Sequence, residues 1–286
     1  MDKNSTNPRL VDYHMHTSVI VDGRMNEREA CEQALLMGLS EIAFTNHVRL
    51  SQPEYSISPN SFLEHWERIT DCMQRFPMLR IRLGIEMDYY PDRENAIEQK
   101  INFYQGLIGR PFDIILGSIH DIHGALFSKK IHAVDFFRDC DIMAVYEEYF
   151  DLSAKAARSR LFDVMAHPDL IKKFTYELTS PIPFESYIDS ADAFINALIE
   201  NEVGIELNTK GCKRLVNEMY PSLDFLGHYL ALIKKSGKLP VITVGSDAHK
   251  LDEIGYGIKQ VYSTLKEHRV SNISGFDHRR SFPIEL

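Results

Sequence analysis

The sequence predicts an α/β fold in one domain, with parallel strands joined by helical crossovers. Two observations predict it. Seven short apolar runs recur along the 286 residues, and most of the segments between them carry helical periodicity. Each run is also rich in β-branched residues and crowds polar ones at its C-terminal end, the layout of a buried strand whose tip meets solvent. No linker or composition break divides the chain. The domain is therefore taken as 1–286, with a core of about 9–265 and a C-terminal extension over 266–286.

Taken in order, the first run is RLVDYH (9–14). A helix follows it, with Asn26 placed to cap, Glu27 and Glu29 in the first turn and Gly38 at the stop. EIAFTNH (41–47) leads into a helix over 61–76, and RIRLGIE (80–86) into one over 92–108 that Pro91 can open. FDIILGSIH (112–120) precedes a long helical stretch, 135–158. FDVMAHPD (162–169) is followed by a helix over 185–202, and GIELNT (204–209) by one over 221–236 beginning at Pro221. LPVITVGSD (239–247) and a helix over roughly 257–268 complete the alternation. Such a series closes as a barrel or lies open as a doubly wound sheet, and pattern alone leaves both open. The tail SGFDHRRSFPIEL (274–286) is expected to pack on the surface.

Composition narrows the function classes. The formal charge of −9 opposes a general nucleic-acid or anionic-membrane surface, either of which favours a basic face. Trp66 and the stretch FYQGLIGRPF have no basic stripe beside them and are taken as packing, not as a base-stacking platform. The four cysteines are scattered without CxxC spacing, so buried thiols are expected. The polar N-terminus lacks a signal-peptide layout, and no run approaches the ~18 apolar residues of a membrane span. A cytoplasmic protein is expected, as a monomer or small homo-oligomer.

The chemistry lies at the strand ends. His14 and His16 alternate along the first strand, so their side chains share one side and can converge on a cation. Alone this is weak, because twelve histidines in such a chain give about 0.5 His-x-His pairs by chance. The other strands strengthen it. His47, Glu86, His120 and His167 close the second to fifth, and Asp247-Ala248-His249 closes the seventh; Asp22 follows the first pair in a Val-Asp-Gly loop. In a barrel those ends share one face, where active sites form. Imidazole and carboxylate without thiolate suit Zn, Mn or Fe. Nine candidate ligands are too many for one ion, so two or three divalent ions are expected, a cationic centre that would attract a phosphate ester.

In order and wording, DYHMHT, TNH, GIEMDYYP, GSIHDIHG, MAHPDLIKKF, ELNTKG and VGSDAHKLDEIG resemble the successive motifs of the polymerase-and-histidinol-phosphatase (PHP) superfamily, especially its histidinol-phosphatase branch. The resemblance spans roughly 9–265 and implies a distorted (β/α)7 barrel with a three-metal centre at the C-terminal strand ends. It further implies His14, His16, Glu86 and Asp247 on the first metal, a second sharing Glu86 with His120 and His167, and a third on Asp22, His47 and His249. A metal-bound hydroxide, held by Glu86, His120, His167 and Asp247, would then attack phosphorus. No GxSxG elbow offers a protein nucleophile instead.

Arg24, Arg49, Lys173, Lys213 and Arg214 lie just beyond strand ends and could bind a small phosphorylated substrate; as single residues they could equally be solvated charges. The branch carries arginine in an NTxGxR pattern, where this chain has Lys213 followed by Arg214, and lysine lacks the bidentate fork. Asp121 and His123 could support His120 or belong to the loop surface. His65, His132, His228, His268 and His278 are taken as ordinary packing or surface histidines. The expected activity is hydrolysis of L-histidinol phosphate. Alternatives are a PHP phosphoesterase acting on nucleotides or oligonucleotide ends, and a non-catalytic metal-binding module.

Overall fold

All seven apolar runs form strands, and every strand neighbour in the main sheet is parallel. The computed structural model describes residues 9–138, 140–178 and 180–286; the polar segment 1–8 lies outside the described residues. The strands are β1 (Leu10–Met15), β2 (Leu39–Phe44), β3 (His47–Val48), β4 (Arg80–Asp88), β5 (Ile114–Ser118), β6 (Val164–Met165), β7 (Gly204–Asn208) and β8 (Ile242–Gly245). They hydrogen-bond in the order β1-β2-β4-β5-β6-β7-β8, with β3 beside β4. A parallel bridge from Met15 to Ala248 closes the ring, and the His16 amide donates to the Ala248 carbonyl at 2.8 Å. Barrel closure is thus settled over the open sheet.

The barrel is distorted at identifiable places. The expected strand 41–47 breaks after Phe44; β2 pairs with both β1 and β4, whereas the continuation β3 pairs only with β4. β6 is two residues long. The helices α1 (Glu27–Leu36), α2 (Pro59–Arg75), α3 (Glu94–Ile108), α4 (Lys130–Arg138), α5 (Ile142–Ser159), α6 (Lys172–Leu178), α7 (Ile188–Asn201), α8 (Leu223–Ser236) and α9 (Ile258–Glu267) occupy the crossovers.

Local chemistry explains their ends. Asn26 and Glu29 form the reciprocal capping box of α1, and Gly38 just beyond it takes φ +77°. The expected helix 135–158 is two helices, because the Asp141 side chain accepts from the Met143 and Ala144 amides and starts α5 anew. Pro91 lies in the turn before α3. Pro221 precedes Ser222, whose hydroxyl, accepting from Phe225, caps α8 instead.

The tail departs from expectation. Residues 274–286 belong to an antiparallel hairpin of β9 (Asn272–Asp277) and β10 (Arg280–Glu285) that covers the N-terminal end of the barrel. Ile273, Phe276 and Ile284 are buried beneath it. The Phe276 amide donates to the buried Tyr13 hydroxyl at 3.0 Å, which itself donates to Glu41 at 2.6 Å. Arg279 bonds Asp163, just before β6, and Arg82 pairs with Asp277 at 3.0 Å. The tail anchors in the barrel because its apolar residues alternate and its charges meet opposite ones.

Candidate metal centre

The opposite, C-terminal end gathers the polar strand tips around one carboxylate. His14 and His16 point the same way from β1, with their Nε2 atoms 3.1 Å apart. Glu86, from β4, places Oε2 at 3.3 and 3.4 Å from those nitrogens and 2.7 Å from His47 Nδ1. Its Oε1 lies 2.9 Å from His167 Nε2 and 3.5 Å from His120 Nε2, and accepts from Ser118 at 2.5 Å. Asp247 Oδ1 is 3.3 Å from His16 Nε2 and from His249 Nδ1. Asp22 stands at the rim, Oδ2 3.8 Å from His249 Nε2 and paired with Lys129.

These residues fit divalent cations. Donor atoms cluster as His14/His16/Glu86, His16/His47/His249, His47/Asp88/His120 and Glu86/His120/His167. His47 Nδ1 approaches Glu86 without forming a hydrogen bond, and His16 Nδ1, His167 Nδ1, Glu86 Oε2 and Asp22 Oδ1 are buried without a partner. Orphaned buried polar atoms are costly unless something satisfies them, and a set of lone pairs facing one another calls for a cation. The electrostatics agree. Burial would raise the Glu86 carboxyl, but His47, His14 and His120 hold it well below its ordinary value, so it is an anion. Burial, with His249 and His47 alongside, keeps His16 well below the imidazole range and available as a neutral ligand. His167 and Asp247 adopt φ +31° and +51°, strained conformations of the kind that cluster at functional sites.

The profile of the PHP domain family matches residues 12–210. The chain belongs to the PHP family. Its curated relatives include a Deinococcus radiodurans protein named probable histidinol-phosphatase, 27% identical over 96% of this chain and 99% of that one. A Bacillus subtilis histidinol-phosphatase is 25% identical over 86% of this chain and 95% of its own. Among solved structures, the histidinol phosphate phosphatase of Lactococcus lactis, complexed with Zn, L-histidinol and phosphate, superposes with a TM-score of 0.81 at 22% identity, covering 96% of this chain and 99% of that one. That likeness supports the PHP barrel.

Around the PHP centre lies a second ring of groups that the strand-tip pattern does not disclose. Glu206, buried in β7, is 2.8 Å from His14 Nδ1 and accepts from the His167 amide and the Asn208 side chain, each at 2.9 Å. Asp88 is 2.8 Å from His120 Nδ1, leaving Nε2 toward Glu86. It does what Asp121 and His123 were candidates for. Asp121 instead shapes its own turn with Gly124, and His123 pairs outward with Glu148. Asp12 accepts from Ser246 and Gly255 and ties β1 to the last loop. His65 is no ordinary helix histidine: it links Glu27 at 2.5 Å to Asn46 at 3.1 Å, and Asn46 holds the main chain of Thr17, next to His16. Gly245 permits close packing here, since a Cβ would meet Glu206 Oε1 at 2.1 Å and His14 Cβ at 2.5 Å.

The candidate substrate cations divide. Arg24 is exposed and joins the site through its amide, which donates to the His249 carbonyl. Arg49 is buried against Asp88 at 3.4 Å, with a guanidinium nitrogen 3.5 Å from His120, so it backs that histidine and does not face solvent. Lys213 turns away, donating to the Asp252 carbonyl and lying over Tyr256. Lys173 bonds the Ser128 carbonyl; burial, with Arg214 the foremost neighbouring charge, pulls its ammonium down to about 7. Two lysines absent from the sequence-based set join this group: Lys129 on Asp22, and Lys210, which bonds Glu253 and the Asp247 carbonyl.

Proposed function

We propose that this PHP protein is a metal-dependent phosphomonoesterase that converts L-histidinol phosphate to L-histidinol and phosphate, in histidine biosynthesis. The observation that carries it is a histidine–carboxylate cluster centred on Glu86. Such a site answers the two needs of phosphate-ester hydrolysis, an activated water and positive charge around the phosphoryl oxygens. Two or three bound divalent ions, Zn, Mn or Fe, would supply the first and part of the second. His14, His16, His47, Glu86, His120, His167, Asp247 and His249 would hold them, with Asp22 at the third position. Glu206 and Asp88 keep His14 and His120 aimed, while Lys173 and Arg214 would bind phosphate oxygens. The near full-length match to named histidinol-phosphatases supports the choice of alcohol.

A screen of phosphomonoesters with defined metals tests the proposal. Histidinol phosphate should exceed nucleoside monophosphates by about 100-fold or more in kcat/KM, since a site built to hydrogen-bond one alcohol rejects others strongly. Equal rates across the panel would remove the substrate assignment while leaving the phosphoesterase, and a nucleotide preference would favour the nucleotide-directed alternative.

A further inference from the structure

Asp22 is set apart from the other proposed ligands. Its Oδ1 is buried without a partner, while its Oδ2 is paired with the ammonium of Lys129, a residue 107 positions along the chain. The imidazoles of His16, His47 and His249 gather beside it, His249 Nε2 3.8 Å from Asp22 Oδ2. Opposite charges on Asp22 and Lys129 therefore cancel at this corner, whereas the corner around Glu86 and Asp247 keeps its anions.

Lys129 is held there from both sides. Leu126 and Phe127, just before it, are buried, and its own carbonyl accepts from the His132 and Ala133 amides at the start of α4. Its ammonium also lies 5.0 Å from the Tyr55 ring centre, a cation–π contact from the opposite wall. The ammonium thus arrives at Asp22 on a fixed stem, unlike a solvated surface lysine. A divalent ion seeking Asp22 must displace that ammonium or sit beside it, and both options weaken binding in a partly buried site.

We propose that Lys129 is a built-in competitor for the third cation: its ammonium occupies Asp22, so the chain binds two divalent ions tightly and the third more weakly. The inference rests on reading the Glu86 cluster as a divalent-cation centre, but not on the substrate. It makes Lys129 a residue that sets metal stoichiometry.

The test is equilibrium titration of the metal-stripped full chain with Mn²⁺, free ion being read by electron paramagnetic resonance. Wild type should show two tight sites and a third weaker by about tenfold or more. Lys129→Met should tighten the third site by at least about tenfold and leave the first two unchanged, which also reports an intact fold. Lys129→Arg keeps the charge and should behave as wild type. Three equally tight sites in wild type, or a third site no tighter in Lys129→Met, would overturn the proposal. Absence of any tight site in wild type would instead refute the metal centre itself, and with it the proposed function.

Discussion

Glu206 shows how much one buried carboxylate can organise. It aims His14, receives the His167 main chain and steadies Asn208, touching two of the proposed metal ligands from behind. Burial works against the His14 imidazolium, yet Glu206 and Glu86 raise its proton affinity well above the ordinary range. Basicity of that kind would strengthen a ligand once a metal displaces the Nε2 proton into solvent. Glu206→Gln preserves shape but removes the charge, and it should lower divalent-metal affinity about 10- to 100-fold while leaving the Tm of the metal-stripped protein unchanged, measured by Mn²⁺ titration beside a melt in chelator. Wild-type affinity in the variant would show that Glu206 only packs. The sequence gives little warning of this residue. Glu206 sits in mid-strand within GIELN, and its partner His14 is 192 residues away, so only folding reveals the pair.

At the scale of elements, the β9–β10 hairpin is the piece whose role changed most between sequence and structure. Its arginine, Arg279, bonds both oxygens of Asp163 at 3.0 and 3.2 Å and the Leu161 carbonyl at 2.8 Å. Burial pushes the Asp163 carboxyl up to about 6 despite that arginine. The folded protein therefore keeps this proton over roughly pH 4 to 6, where the unfolded chain has lost it, and the stability the group contributes falls as pH rises through that window. Removing the cation extends the window upward. Arg279→Ala should cost about 2 kcal/mol at pH 8 and distinctly less near pH 5, by urea unfolding at both values. An equal loss at both would mean that Asp163 is not the partner that matters. Repeating patterns announced the strands and most helices. The splits at Phe44 and Asp141 were hidden because an interruption of two or three residues barely disturbs an apolar period.

For the whole molecule, the proposed metal centre and the hydrophobic core should be separable sources of stability. Large rings such as Phe150, Phe194 and Phe225 are fully buried among the helices, and the strands pair without any ligand atom. Chelation should therefore leave the far-UV circular dichroism unchanged while lowering Tm. One ion present at 100 times its Kd stabilises by about 2.7 kcal/mol, worth about 5 °C or more in a chain of this size. An unchanged Tm after complete stripping would show that no ion is linked to folding, and collapse of the spectrum would show that the barrel needs the metals. Among the described residues, no helix is long and apolar enough to cross a membrane.

By itself, the sequence determined the alternation of strands and helices and the set of histidines and carboxylates at the strand tips. Both are carried by local periodicity, which a barrel converts into a shared face. Periodicity left the closure of the strands open and only the family resemblance implied it; tertiary structure alone decided that Glu206, Asp88 and His65 stand behind the histidines and Glu86 at the centre. It also decided where the basic residues point: Lys129 pairs with Asp22 and Lys173 bonds the Ser128 carbonyl, while Lys213 turns to Asp252 and Arg49 backs His120. The reason is physical. A strand fixes where its own tip goes, whereas a loop lysine or a buried acid takes its direction from neighbours supplied by distant parts of the chain.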